Sequence, residues 1–391
     1  MEIKINIAEN RKCPISGSEK ISLVFAQKLN VPEDYFFSST YKLVQSQKTG
    51  LVYADALIKD NILENHYSKD SKYDPNLVKS LIKYPKNDID RYDSLYECCK
   101  KYINEDSKII DIGFGNGGLF KSFLSSGVTE KQLYGIDPSP ISQTIAKTAY
   151  NVNSFLGGID DLKKYNEKFD MIILSHVVEH LLNPRVQMNS LLESLSPDGK
   201  IYIEVPNASK FHEYVDLHGP YQEINTEHIN HWTEQSLKNL AHFSGFKCLE
   251  SCERVIQNEA GDYPVLHQVW EKGQQTFKFD SEILESMQSY LKKSNILFNE
   301  QIATIKKNTP VYLFGIGEFS YKILANIDNK HIKGLVDKSP KKIGKKINNL
   351  KILSPQILKK LKNEKIFISS FVSKQLIKDD LLSINKDLIV L

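Results

Sequence analysis

The sequence predicts an α/β protein built on a parallel sheet with helices on both faces. Between Lys108 and Lys272 the apolar runs KIIDIG, QLYGID, VNSFLG, FDMIILS and GKIYIEVP alternate with helical segments, and FKCLESCERV and VLHQVWE follow as two more strands. Strands separated by helices form right-handed crossover units and hence a parallel sheet. The first run, IIDIGFGNGG at 109–118, ends in an acid and enters a glycine loop. Such a turn presents a ligand at the C-terminal ends of the strands. With 391 residues, 41% of them hydrophobic, the chain exceeds the roughly 250 to 300 residues at which single cores stop growing, so two or three domains are expected.

Charge narrows the partners. The 51 basic and 48 acidic side chains leave a formal net charge of +3, with no long run of one sign, so a nucleic-acid partner is not expected. No stretch approaches the roughly 20 apolar residues that cross a bilayer, and MEIKINIAENRKC lacks the apolar core of a secretory signal. A cytoplasmic location with no membrane partner is the expectation. Five cysteines (Cys13, Cys98, Cys99, Cys248, Cys252) without a disulfide-type spacing fit a reducing compartment.

The chain divides into three parts. Residues 1–75 read as short strands and turns followed by a cap loop, whose Tyr73 is expected near the cofactor mouth. Residues 76–275 open with a helix, because Ile89, Tyr92, Leu95, Tyr96, Cys99 and Ile103 recur at helical spacing, and continue into the main α/β domain. Residues 276–391 comprise a long amphipathic helix at about 279–307 and a small α/β unit beginning at VYLFGIGEFS.

The glycine loop selects its ligand by charge. A dinucleotide fingerprint is G-x-G-x-x-G, which brings backbone amides to a dianionic pyrophosphate. Here the order is D-x-G-x-G-x-G: Asp111 precedes Gly113, Gly115 and Gly117. A carboxylate there repels a diphosphate and attracts an ammonium, which S-adenosylmethionine carries. Asp137, 24 residues after Gly113 (137 − 113) and followed by Pro138, is placed to accept ribose hydroxyls. Ile159 and Asp160 follow the third strand, where an adenine would lie, and Ser175 ends the fourth. In GIGEFS, Ser320 replaces the third glycine and Glu318 puts a negative charge where a phosphate would sit, so a dinucleotide is not expected there.

These motifs, with FDMIILSHVVEHL, LSPDGKIYIEVPN and EHINHWTEQSLKNLAHFSGF in order and spacing, resemble the class I S-adenosylmethionine-dependent methyltransferases, with a Rossmann-like sheet, over roughly residues 60–255. The wider layout is similar to that of the nucleotide-sugar C-methyltransferases. Their N-terminal zinc ribbon has CPxCGS and CxxCGLVY; here Cys13 stands with Ser16, Ser46 and Thr49 at the other three positions, and neutral hydroxyls do not replace thiolates on zinc. A ribbon held by packing, with no metal, is expected. GLVDKSPKKIGKKI and ILSPQ resemble C-terminal segments of the same family.

Acid–base groups for methyl transfer belong at the strand ends. HVVEH supplies His176, Glu179 and His180, and NTEHINHW supplies Glu227, His228 and His231. The family serves its acceptor with YHEH, where this chain has Asn225, Thr226, Glu227 and His228: the EH pair is kept and the tyrosine is gone. The resemblance implies transfer to a sugar or nucleotide-sugar acceptor by a monomer or homodimer, with C-, O- and N-methylation all open. A small-molecule O-methyltransferase with a non-sugar acceptor and a non-catalytic nucleoside-binding scaffold are the alternatives.

Overall fold

The computed structural model describes residues 11–33, 35, 39–55, 84, 86–258 and 261–391; Tyr73 lies outside them. The central domain begins with helix α1 (Lys86–Cys99). Its apolar stripe, with Leu95 and Cys99 buried, packs on the sheet. The strands are β4 (Ile109–Ile112), β5 (Leu133–Asp137), β6 (Asn153–Leu156), β7 (Phe169–Ser175), β8 (Leu195–Pro206), β10 (Phe246–Asn258) and β11 (Gly261–Lys272), in the spatial order β10-β11-β8-β7-β4-β5-β6. All four residues of β4 are buried, as a strand covered on both faces requires.

The pairs β6–β5, β5–β4, β4–β7 and β7–β8 are parallel, whereas β11 runs antiparallel to both β8 and β10. This departs from a wholly parallel sheet for a simple reason. Asn258 pairs with Gly261, and a link that short can only reverse the chain. The chain builds outward from β4 on one side and then from β7 on the other, so the crevice opens at the C-terminal ends of these two strands.

The N-terminal strands β1 (Ile21–Lys28), β2 (Thr40–Ser46) and β3 (Val52–Ala54) form an antiparallel sheet completed by β9 (Asn230–His231). Val52 pairs with His231 and Tyr53 with Asn230, so a strand from the middle of the chain closes the N-terminal module. Arg11 fastens the joint, its guanidinium donating to the carbonyls of Ala54 (3.3 Å), Ile229 (3.2 Å) and Leu182 (2.6 Å) and to Asn230 Oδ1 (2.9 Å). The four ribbon positions do converge. Cys13 Sγ lies 3.5 Å from Thr49 Oγ1; burial alone would raise this thiol, but the hydroxyls of Ser16, Ser46 and Thr49 hold it below its ordinary value.

After helix α7 (Ile283–Lys307) the C-terminal unit places β12 (Val311–Phe314), β13 (Ile332–Val336), β14 (Lys346–Ile347), β15 (Leu350–Leu353), β16 (Lys365–Ile368) and β17 (Ile389–Val390) in the order β14-β15-β13-β12-β16-β17, parallel except for β14. Helix α8 (Glu318–Ala325) follows β12. This unit has a core of its own, with Phe314, Val336, Ile366 and Leu381, and shares a second: Leu43 and Val52 of the N-terminal sheet, Ile229 before β9, Met287 of α7 and Leu313 and Ile323 of the C-terminal unit belong to one buried cluster. Lys322 of α8, 3% exposed, donates to the carbonyls of Tyr221 (2.9 Å) and Ile224 (2.6 Å).

Two outcomes follow from these joints. Gly50 has φ +84°, and a Cβ there would sit 2.1 Å from the Asp280 carbonyl oxygen, so Gly50→Ala should cost about 2 kcal/mol or more in chemical denaturation. Burial pushes the Lys322 ammonium from 10.5 down to about 8. Across that window the unfolded chain keeps a proton that the folded protein has released, so this group makes stability rise with pH. The urea midpoint of the unaltered protein should therefore climb relative to that of Lys322→Met from pH 8 upward; parallel curves would show that the amine is not buried.

Candidate active site

The glycine loop leaves β4 with Gly113, Gly115 and Gly117 at φ +74°, +55° and +77°, left-handed values that side chains with a Cβ adopt at a cost. At Gly117 a Cβ would also meet Tyr150 Cε2 at 2.7 Å. Asp137, ending β5, fixes the loop: its Oδ2 accepts from Gly115 N at 2.9 Å and its Oδ1 from Ser139 N at 2.8 Å. Asp111 is 5% exposed. Burial pushes its carboxyl well above the usual range, Asp137 adds to the rise and Arg91 opposes it. A buried acid in that state gains most from a cationic partner.

Arg91 brings the opposite charge to the same crevice. From α1 it donates through Nη2 to Ser175 Oγ at 2.8 Å, and its buried Nε, 3.5 Å from Glu204 Oε1, has no hydrogen-bond partner. A guanidinium with donors to spare beside a carboxylate suits an amino-acid zwitterion. Nothing local in NDIDRYDSLY marks this arginine, since arginines on helix surfaces are ordinary; only the packing of α1 on the sheet delivers it. Pro138 follows Asp137 at the crevice edge, half-buried. Ile159 is 4% exposed and packs into the domain core, and the Asp160 carboxylate accepts from Gln187 Nε2 at 3.0 Å.

A second cluster of buried polar groups gathers at the ends of β7 and β8. His176 has φ +55°, uncommon for a residue with a Cβ. Its ring bridges two buried carboxylates, with Nδ1 3.3 Å from Glu179 Oε1 and Nε2 3.6 Å from Glu204 Oε1. Burial and Arg91 lower its pKa, but contacts with Glu179 and Glu204 outweigh them and raise it. His180 Nδ1 lies 2.9 Å from the Glu227 carbonyl, and its Nε2 3.7 Å from Glu179 Oε1. The rings of His180 and His228 meet edge to face at 5.1 Å. Burial, then repulsion by His180, lowers the pKa of His228. Burial would raise Glu179, yet His180, His176 and His228 pull it down to about 2.

Where the resembling family has a tyrosine, Asn225 shapes the loop. Its Oδ1 accepts from the backbone N–H groups of Glu227 (2.9 Å) and His228 (2.8 Å), a turn that asparagine forms readily. The carboxylate beside His228 is Glu223, with Oε2 3.8 Å from Nδ1 and 2.7 Å from the donating Tyr263 hydroxyl. Glu227 contributes its backbone carbonyl. His231, on β9, has its Nε2 3.4 Å from the Tyr41 hydroxyl and its ring against Phe211, and burial, then His228, pushes its pKa down to about 3. Glu204 and Glu223 were not legible as site residues, because each stands alone in its motif.

The sequence profile of the methyltransferase domain family matches residues 84–251. That span is similar to a methyltransferase domain. S-adenosylmethionine is the cofactor of such domains, and Asp111, Arg91 and Asp137 fit its ammonium, carboxylate and ribose. Residues 307–389 match a second family, described as C2185-like, N-terminal. The putative methyltransferase YrhH of Bacillus subtilis is 30% identical over 108 residues, 26% of this chain and 59% of that protein. The tRNA U34 carboxymethyltransferase of Campylobacter fetus is 30% identical over 124 residues, 30% of this chain and 43% of that protein. The chain thus spans 59% and 43% of the length of these two relatives. The solved 1,6-didemethyltoxoflavin-N1-methyltransferase of Burkholderia thailandensis is 14% identical with a TM-score of 0.40, over 59% of this chain and 97% of that one. Among the described residues, no helix is long and apolar enough to cross a membrane.

If Arg91 in this span holds a carboxylate, Arg91→Met should weaken S-adenosylhomocysteine binding by about 10- to 100-fold in calorimetry, since hydrogen bonds to charged groups contribute about 1.5 to 3 kcal/mol. Unchanged affinity would remove this residue from the pocket.

Proposed function

We propose that the protein transfers the methyl group of S-adenosylmethionine to a sugar or nucleotide-sugar acceptor. The observation that carries this reading is a cluster of buried carboxylates and imidazoles at the ends of β7 and β8, held to one another only by long contacts: Glu179 to His176 at 3.3 Å and to His180 at 3.7 Å, and Glu223 to His218 at 3.5 Å and to His228 at 3.8 Å. Buried carboxylates held by such long contacts gain from direct hydrogen bonds, and a ligand with several hydroxyls supplies the donors.

S-adenosylmethionine supplies an electrophilic methyl group at a sulfonium. The work of this chain is to hold, orient and deprotonate. Asp111 and Arg91 grip the amino-acid end of the donor, and Asp137 faces the ribose. His176, His180, His228 and Glu227 stand on the acceptor side, with His180 and His228 as the pair that orients the accepting group and takes its proton; His231 supports β9. The loop carrying Glu227 and His228 is pinned from outside the domain. Thr226 N donates to Glu318 Oε1 at 2.8 Å, and the Tyr35 hydroxyl donates to the same oxygen at 3.5 Å. Both flanking units therefore anchor the loop that carries Glu227 and His228. The accepting atom stays open between carbon, oxygen and nitrogen.

Incubation with labelled S-adenosylmethionine and a panel of keto-, hydroxy- and amino-sugar nucleotides tests the proposal. Turnover with at least one is expected, and transfer to tRNA but to no sugar would overturn it. With the best acceptor, His228→Asn should lower kcat by about 10²- to 10⁴-fold, the range of a general acid–base group, while S-adenosylhomocysteine affinity holds. An unchanged rate would take His228 out of the mechanism.

A further inference from the structure

Glu179, His180 and His228 each offer one ligand atom, and these atoms all lie within 4.8 Å of one another. Glu179 and His180 come from the turn after β7, and His228 from the loop before β9. We propose that these three side chains bind a divalent transition-metal ion whose remaining coordination positions face the acceptor cleft.

The carboxylate is the first reason. Glu179 is 1% exposed, and neither of its oxygens has a hydrogen-bond partner. Its neighbours are imidazole nitrogens at 3.3 Å (His176 Nδ1) and 3.7 Å (His180 Nε2). A buried carboxylate is normally paired, hydrogen-bonded or bound to a metal, and an ion shared with His180 and His228 would satisfy it.

The orientation of His180 is the second. Its Nδ1 is 2.9 Å from the Glu227 carbonyl oxygen, and its Nε2 faces Glu179 Oε1 at 3.7 Å, close to the roughly 3.4 Å that separates two atoms bound to one tetrahedral zinc ion. Metal-ligating histidines are oriented by this kind of contact, one ring nitrogen held by a carbonyl and the other presented to the ion.

Ligand chemistry is the third. Two imidazoles and one carboxylate suit zinc and its neighbours in the first transition row, and three protein ligands leave at least one position open. An oxygen bound there would be polarised toward the anion. No local motif announces the site: HVVEH lacks the order of a metalloprotease helix, and the third ligand arrives 48 residues after His180 (228 − 180).

With the ion bound, His180 and His228 act on the acceptor through it rather than as a base; that role rests on the methyl-transfer reading, whereas the binding of the ion does not. Tag-free protein stripped with a chelator should take up one zinc ion per chain in competition with a chromophoric chelator, and cobalt in its place should give visible ligand-field bands. Glu179→Gln and His228→Ala should weaken zinc by at least about 100-fold, since even partners outside the ligand shell cost 10- to 100-fold. His212→Asn, remote from the cleft, should bind as the unaltered protein does. Retained S-adenosylhomocysteine binding shows that each variant is folded. Absence of saturable zinc or manganese binding, or equal affinity in the Glu179 and His228 variants, would overturn the proposal. Zinc bound at this site without turnover on any sugar would leave it standing while the acceptor reading fell.

Discussion

The site depends on one buried charge. Glu204 is fully buried near the end of β8, where a lone carboxylate would not stay ionised. Burial works against its charge, and His176, Arg91 and Arg254 overcome it, holding its pKa well below the usual range. Each of these partners belongs to a different element. Arg91 comes from α1, Arg254 from β10 and His176 from the exit of β7, and Ser175 donates to the same carboxylate at 3.2 Å. Neutralising Glu204 therefore fixes helix, sheet edge and site turn together. The arginine turned toward the cofactor crevice and the histidine turned toward the acceptor are two arms of one ion cluster. Breaking one arm of a buried pair leaves an uncompensated charge, so the geometries of the two half-sites cannot drift independently.

The acceptor loop is held by all three parts of the chain. Its C-terminal continuation is β9, a strand of the N-terminal sheet. Its backbone at Thr226 is fixed by Glu318, and the carbonyls just before it by Lys322. A loop with two hydrogen-bonded partners outside its own domain loses little further entropy when a ligand arrives. The shared core of N-terminal sheet, α7 and C-terminal unit explains why the chain carries these flanking parts: they act as a vice on residues 221–231 as well as separate folds.

The sequence makes some of this legible and hides the rest for identifiable reasons. Asp111, the three glycines and Asp137 are readable because a strand end, a tight turn and the next strand end lie close along the chain. The seven strands of the central sheet are readable as apolar runs, and the reversal of β11 follows from its short link to β10. Arg91, Glu204 and Glu223 are invisible because they are single charged residues whose partners lie far away in sequence. The burial of Ile159 in the domain core and the contact of His231 with Tyr41 depend on the faces that packing selects, which motif spacing does not encode. The junction of β3 with β9 is hidden for a similar reason: a two-residue strand has too little periodicity to announce itself.

The two α/β units solve the same structural problem and diverge where a ligand would bind. In each, an aspartate at a strand end accepts from the glycine-rich loop: Asp137 Oδ2 from Gly115 N at 2.9 Å, and Asp337 Oδ2 from Ile316 N at 2.6 Å. Each uses its other oxygen for the amide two residues on, at Ser139 (2.8 Å) and Ser339 (2.7 Å). In the first unit three left-handed glycines open the loop. In the second, Gly315 is left-handed but Gly317 is extended, and Glu318 at the helix start is committed to Thr226. An anion brought to that helix would meet the carboxylate that clamps the acceptor loop. The second unit has thus given the end of its helix, where related folds hold phosphate, to a contact with the loop of the first.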